Sequence, residues 1–99
     1  LERHAQAMES FNKALEADPT YALAYNDIGN ILMQDNKIME AIDYYKKAIR
    51  YNISYTTAYL SLGDAYTSLG DKANACIAYK KAEALGDGSA ISKRIFSCN

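Results

Sequence analysis

Apolar residues along this chain recur with the period of an α-helix. In residues 22–34, Tyr25, Ile28 and Leu32 follow one another at intervals of three and four. A longer apolar stripe in residues 38–51 has the same spacing and consists of Ile38, Ala41, Ile42, Tyr45, Ala48 and Ile49. Such spacing places the apolar side chains on one face of a helix. Residues 56–69 and 72–85 repeat the two patterns, so the chain is predicted to be helical throughout.

The two halves of the pattern are related by an offset of 34 residues. Eight identities link residues 22–55 with residues 56–89, among them Tyr25 with Tyr59 and Gly29 with Gly63. The others are Ala24 with Ala58, Ala41 with Ala75, Tyr45 with Tyr79, Lys46 with Lys80, Lys47 with Lys81, and Ala48 with Ala82. One step earlier, Ala7, Phe11 and Ala14 precede Ala41, Tyr45 and Ala48 by the same offset. A period of this length indicates stacked helical repeats.

Turn residues divide each repeat into two helices. Gly70 follows one helix and Asp71 precedes the next, which suits a left-handed residue followed by an N-cap. Asn36 occupies the position equivalent to Gly70 and also tolerates that conformation. Gly29 and Gly63 lie inside helices, where each costs roughly 1 kcal/mol relative to Ala. We therefore expect the paired helix to approach closely at both glycines.

Together these residues resemble the tetratricopeptide repeat family. Seven of the family's positions are filled in each complete repeat. In residues 22–55 they are Tyr25, Ile28, Gly29, Leu32, Ala41, Tyr45 and Ala48, and in residues 56–89 they are Tyr59, Leu62, Gly63, Tyr66, Ala75, Tyr79 and Ala82. Ala7, Phe11, Ala14 and Pro19 match the second half of an earlier repeat. The family's closing Pro is replaced by Ile53 and Asp87, so those corners are expected to be looser or differently angled.

The resemblance implies an all-α fold, a right-handed α-solenoid of antiparallel helix hairpins within a single domain. Residues 1–19 would be a half-repeat consisting of its second helix, followed by complete repeats at 22–55 and 56–89. A short capping helix at 89–97 carries the apolar Ile91, Ile95 and Phe96 and is expected to cover the exposed end of the stack.

The family binds segments of other proteins on a concave surface lined by the first helix of each repeat. Carried over to this chain, the inward positions are Leu23, Asn26, Asn30, Met33, Gln34, Thr57, Leu60, Asp64 and Thr67, with Ser68 beside them. An Asn amide both donates and accepts hydrogen bonds, which suits a peptide backbone. Leu23, Met33 and Leu60 offer apolar contact. Because Asp64 is the only formal charge in this set, the partner is expected to be a neutral to basic protein or peptide segment.

One subtype of the family is not expected here. Repeats that clamp the terminal carboxylate of chaperones place Lys and Arg where Leu60 and Asp64 stand. Asp64 would repel a terminal carboxylate. The same inward polar residues are also compatible with an ordinary solvated helix face.

Composition and charge argue against several classes of function. The net charge of -1 and the balanced acids beside Lys46, Lys47, Lys80 and Lys81 argue against a nucleic-acid or membrane-surface binder. No apolar run approaches the roughly 18 residues of a membrane-spanning helix, and no signal peptide opens the sequence, so a cytoplasmic location is favoured. Cys76 is interpreted as a small core residue and Cys98 as a mobile residue near the end, which gives no sign of an oxidising compartment.

Catalytic and cofactor chemistry is not expected. His4 is the only histidine and has no metal-ligand spacing to either Cys. No phosphate-binding loop or hydrolase motif occurs, so the chain is predicted to be non-catalytic, with no metal or cofactor. Two alternatives to the interaction module stay open. One is a self-associating scaffold that covers Met8, Phe11 and Leu15 of the half-repeat, and the other is an arm of a larger enzyme.

Overall fold

The computed structural model describes residues 2–98, which form six helices and, within that range, no strand. The helices are α1 (Glu2–Ala17), α2 (Ala22–Gln34), α3 (Ile38–Tyr51), α4 (Thr56–Ser68), α5 (Lys72–Ala84) and α6 (Ala90–Ser97). Each helix packs on the next along the chain, and α2 also contacts α4. The all-α fold expected from the sequence is confirmed. Among the described helices, none has the length and apolar character that crossing a membrane requires.

The turns between paired helices have the conformations that their residues predict. Asn36 has φ 61° and Gly70 has φ 75°, so both adopt the left-handed conformation between the two helices of a repeat. Asp71 caps α5, because its Oδ1 accepts a hydrogen bond from the backbone N–H of Asn74 at 3.1 Å. The side-chain and backbone hydrogen bonds from Asn74 lower the pKa of Asp71.

Both helical glycines lie against a tyrosine ring of the paired helix. A methyl group added at Gly29 would lie 2.5 Å from Cε1 of Tyr45, and one added at Gly63 would meet the ring of Tyr79 in the same way. The expected close approach is therefore made by the aromatic rings. Tyr45 is only 1% exposed and belongs to the main apolar cluster, together with Ile28 and Leu32. The glycines thus let each tyrosine cross between its two helices.

A disulfide between Cys76 and Cys98 ties α5 to the end of α6, with the two Cα atoms 4.9 Å apart. The interpretation of Cys76 as an isolated core thiol and of Cys98 as a mobile residue was wrong. The two cysteines are separated by 22 residues in the sequence, and no local pattern shows that α6 turns back along α5. The bond fixes α6 against the second repeat.

The packed face of α6 differs from the expected one. Ala90 and Ser97 are buried, and Arg94 forms an ion pair with Glu83 of α5 (Nε to Oε1, 2.6 Å). Ile91, Ile95 and Phe96, the apolar residues expected to cover the end of the stack, point outwards, and Phe96 is 62% exposed. The amine of Lys72 lies 4.5 Å from the centre of the Phe96 ring. Helix α6 is therefore held by small residues, the disulfide and ion pairs of Lys93 and Arg94.

Candidate functional site

The nine residues predicted to bind a partner lie on α2 and α4, the first helices of the two complete repeats. Because these helices contact each other, their shared face is called the inner surface below. Eight of the nine are exposed or partly exposed: Leu23, Asn30, Met33, Gln34, Thr57, Leu60, Asp64 and Thr67. The inner surface therefore presents most of the polar and apolar groups that the resemblance implies.

Asn30 is anchored by the tyrosine of its own repeat. The hydroxyl of Tyr45 donates a hydrogen bond of 2.7 Å to Oδ1 of Asn30. Burial raises the pKa of Tyr45 to about 12, so the hydroxyl keeps its proton near neutrality. Within the described residues the amide NH₂ of Asn30 forms no hydrogen bond. An oriented side chain with two donors left for a ligand is suited to bind a peptide carbonyl.

Asp64 occupies the equivalent position in the second repeat, and its charge is balanced within the chain. Tyr79 donates a hydrogen bond to Oδ1 of Asp64, and the Lys93 amine on α6 lies 2.9 Å from that oxygen and 3.1 Å from Oδ2. Burial, and then the hydrogen bond to Asp64, raise the pKa of Tyr79 to about 12. Sequence reasoning missed Lys93, which lies 29 residues from Asp64 and on a different helix.

A pocket of about 280 Å³ opens between α4 and α6 beside this ion pair. Asp64, Thr67 and Tyr79 line one side, and Lys93 and Phe96 line the other. The hydroxyls of Thr67 and Tyr79 lie 3.3 Å apart. The inner surface thus ends in a concave site where hydroxyl, charged and aromatic groups meet.

Asn26 differs from the other predicted site residues because its side chain is buried. Its exposed fraction is 2%, and its Oδ1 has no hydrogen-bond partner among the described residues. The equivalent residue, Leu60, packs beside Tyr59 and Ala90 in an apolar cluster. Asn26 therefore occupies a packing position and does not present its amide to solvent, contrary to the role expected from the sequence.

The start of α2 adds groups that the sequence did not single out. Leu23 is 44% exposed, and the neighbouring Tyr21 is also exposed. Burial raises the pKa of Asp27. It also raises the pKa of Tyr55, with further contributions from the charges of Asp27 and Tyr21.

In the described part of the chain, no group of three or more His, Cys, Asp or Glu side chains could hold a metal ion. Nδ1 of His4 lies 2.9 Å from Oδ1 of Asp35, a polar contact that links α1 to the end of α2.

Comparison with known families identifies the repeats. Models of the tetratricopeptide repeat match residues 10–43 and 56–85, and a model described as TPR repeat matches residues 29–70. The chain is a tetratricopeptide repeat (TPR) protein. The matches overlap residues 1–19, 22–55 and 56–89, and together they include Gly29, Tyr45, Gly63 and Tyr79.

The chain is also similar to part of a much longer protein. Anaphase-promoting complex subunit 3 of Schizosaccharomyces pombe is 26% identical over 88 residues, which are 89% of this chain and 13% of that protein. This TPR chain thus spans a small part of that relative's length.

Two solved structures have the same fold. The first TPR of Spaghetti bound to the HSP90 peptide SRMEEVD has a TM-score of 0.87 at 21% identity, covering 98% of this chain and 79% of that one. YrrB, described as a TPR protein with an unusual peptide-binding site, has a TM-score of 0.76 at 30% identity, covering 81% and 41%.

Proposed function

We propose that the chain is a non-catalytic interaction module whose inner surface binds an extended or helical segment of a partner protein. The observation that carries this proposal is the full or partial exposure of eight of the nine residues predicted to line the inner surface of α2 and α4. Peptide binding by the Spaghetti TPR and the peptide-binding site of YrrB support a role of the same kind.

The groups on the inner surface favour an uncharged segment. Leu23 offers apolar contact and the amide of Asn30 offers hydrogen-bond donors, while Lys93 balances Asp64. A terminal carboxylate approaching Lys93 would have to compete with Asp64, which already holds that amine at 2.9 Å. We therefore expect a peptide with a free carboxylate to bind no better than its amidated form, with dissociation constants on the order of micromolar, about -8 kcal/mol.

Peptides selected from a random phage library against the immobilised chain test the proposal. Their dissociation constants are measured by fluorescence polarisation on the original chain and on Asn30→Asp and Leu60→Asn. Asn30→Asp keeps an acceptor for Tyr45, as Asp64 does for Tyr79, but removes the amide donors. Leu60→Asn introduces the residue that stands at the equivalent position 26.

Each variant is expected to weaken binding about tenfold, a loss of about 1.4 kcal/mol. Met39→Ala is the matched control, because Met39 is 68% exposed on α3, away from the inner surface. If the selected peptides bind both inner variants as tightly as they bind Met39→Ala, the inner surface is not the binding site.

A second candidate function, self-association, is favoured by the apolar side chains of α6. Ile91, Ile95 and Phe96 are all exposed, whereas Met8, Phe11 and Leu15 of α1 are partly buried against the main apolar cluster. We propose that the α6 face associates with a second copy at high concentration. Sedimentation velocity over a hundredfold concentration range should show a dimer that Phe96→Asp abolishes. A monomer at every concentration would contradict this candidate.

A further inference from the structure

A second concave site is lined by none of the nine residues predicted for the inner surface. It is a groove between α3 and α5, the second helices of the two repeats, and its floor is formed by α4. The cavity has a volume of about 210 Å³. Its floor and walls include Ile49, Leu62, Tyr66, Ile77 and Ala78, and it is called the outer groove below.

The outer groove has an apolar lining and room for one large side chain. Ile77 is 54% exposed there, although it lies between residues of α5 that are buried. An apolar cavity of roughly 150 Å³ is large enough to bind benzene, so the outer groove could hold a Leu or Phe side chain. Covering Ile77 in this way would remove apolar area from water, which is favourable.

Two lysines border the groove from opposite sides. The amine of Lys46 on α3 lies 6.0 Å from the centre of the Tyr66 ring, and that of Lys81 on α5 lies 5.9 Å from the centre of the Tyr59 ring. Among the described residues, no acidic side chain lines the cavity. Neither amine forms an ion pair with a carboxylate in the described part of the chain. Both charges are therefore available to a ligand, in contrast to Lys93.

The first repeat shows which residues create the groove. Tyr44 and Asp43 occupy the positions equivalent to Ala78 and Ile77, and Asn12 occupies the position equivalent to Lys46. Tyr44 packs against the main apolar cluster, with its ring centre 6.3 Å from that of Tyr25. The small Ala78, the apolar Ile77 and the cation at position 46 thus occur together between α3 and α5, whereas the equivalent positions on α1 and α3 carry Tyr44, Asp43 and Asn12.

We infer that the outer groove binds an acidic segment of a partner protein, which inserts one large apolar side chain between α3 and α5 and places flanking carboxylates against Lys46 and Lys81. The shape and apolar lining select the inserted side chain. The two lysines select the flanking charge, since opposite charges attract across a surface of this kind. This site is separate from the inner surface and does not depend on peptide binding there.

Three fluorescein-labelled peptides test the inference by fluorescence polarisation. The first has a central Phe with two Glu residues on each side, the second replaces the Glu residues with Lys, and the third replaces the Phe with Ala. The first should bind at least tenfold more tightly than either of the others. Its affinity should fall severalfold between 50 and 500 mM salt, because ion pairs at an exposed rim are screened.

Variants then locate the binding. Lys46→Glu and Lys81→Glu should each weaken binding of the Phe peptide about tenfold. Ala78→Tyr introduces the residue of the first repeat and should abolish binding by filling the groove. Lys47→Glu is the matched control, because its amine lies 4.9 Å from the Tyr44 ring and does not line the groove. Asn30→Asp on the inner surface should leave the affinity unchanged, which separates this site from the proposed function.

Circular dichroism and thermal unfolding of each variant establish that it is folded. Ile77→Asp, which also introduces a residue of the first repeat, replaces Ala78→Tyr if that variant fails to fold. The inference is overturned if no peptide binds at 1 mM, if the Lys peptide binds as well as the Glu peptide, or if the rim variants behave like Lys47→Glu.

Discussion

The two complete repeats share one packing arrangement but present different chemistry at the same position. In each repeat, the ring of a tyrosine on the second helix packs against a glycine on the first helix. The hydroxyl of that tyrosine donates a hydrogen bond to the residue that follows the glycine, which is Asn30 in one repeat and Asp64 in the other. Asn30 keeps a free amide, whereas Asp64 is also bound by Lys93 of α6. The tyrosine and the glycine are the same in both repeats, whereas the residue that follows the glycine differs between them.

The ends of the two repeats also differ. The first repeat contacts α1 through partly buried apolar residues and the polar contact of His4 with Asp35. The second is joined to α6 by a covalent bond and by the ion pairs of Lys93 and Arg94. The two hairpins share one fold, but the first is covered mainly by apolar packing of α1, and the second is covered by polar and covalent contacts of α6.

Of the contacts that distinguish the two ends, the disulfide should contribute most to the free energy of unfolding. A cross-link between residues 22 apart stabilises the folded state by about 3 kcal/mol, mainly by restricting the unfolded chain. The free energy of unfolding in urea should therefore fall by about that amount in the presence of dithiothreitol. The variant with both Cys76→Ala and Cys98→Ala should have the lower value with or without the reductant. A chain whose unfolding does not respond to dithiothreitol would contradict the prediction.

Replacing either helical glycine tests the shared framework. Gly29→Ala and Gly63→Ala should each lower the free energy of unfolding by about 2 kcal/mol. The added methyl meets a tyrosine ring, and this overpacking outweighs the gain of roughly 1 kcal/mol in helix propensity. Gly88→Ala is the control, because nothing lies within 4 Å of a methyl group at that position. Equal stabilities for all three variants in urea unfolding would show that the close approach has no energetic weight.

Removing the tyrosine hydroxyls should lower the free energy of unfolding by different amounts in the two repeats. Tyr45→Phe should cost about 1 kcal/mol and Tyr79→Phe somewhat more, because hydrogen bonds to charged groups are stronger.

The same hydroxyls should make the free energy of unfolding depend on pH, and the direction of that dependence follows from their pKa. The folded pKa of both tyrosines is raised to about 12 from an ordinary value of 10.0, so their contribution to stability is present below pH 10 and is lost as the pH rises towards 12. Urea unfolding at pH 8 and pH 11 measures the loss, which each Phe variant should reduce. Identical losses in the Phe variants and the original chain would refute the assignment.

The smallest expected effect is a gain in stability. Asn26→Leu replaces a buried side chain whose Oδ1 has no partner with the residue found at the equivalent position 60. It should raise the free energy of unfolding by about 1 kcal/mol, because an unsatisfied buried acceptor carries a desolvation cost. Asn12→Leu on the exposed side of α1 should change stability little. A destabilised Asn26→Leu would mean that the amide makes a contact that Leu cannot replace.

Features that repeat every 34 residues were predictable from the sequence, because each is specified by neighbours within one hairpin. The spacing of Tyr25, Ile28 and Leu32 predicted α2, and Gly29 predicted a close approach of α3. Asn36 and Gly70 predicted the turns between the paired helices.

Features at the end of the stack were not predictable, because they depend on how α6 lies against the second repeat. The ion pair of Asp64 with Lys93 and the bond of Cys76 with Cys98 join residues on different helices. The burial of Asn26 also departed from the pattern, since the period shows which residues are equivalent but not how closely a neighbouring helix covers each one. For the outer groove, the available signal was the change from Tyr44 to Ala78 between repeats.

The unlike residues at positions 30 and 64 give the inner surface a polarity along the stack. A segment lying across it would meet neutral amide donors at one end and a fixed pair of opposite charges at the other. Reversing such a segment would exchange which of its carbonyls and side chains face each end. A bound partner should therefore adopt a single N-to-C orientation, and a peptide of reversed sequence should bind more weakly.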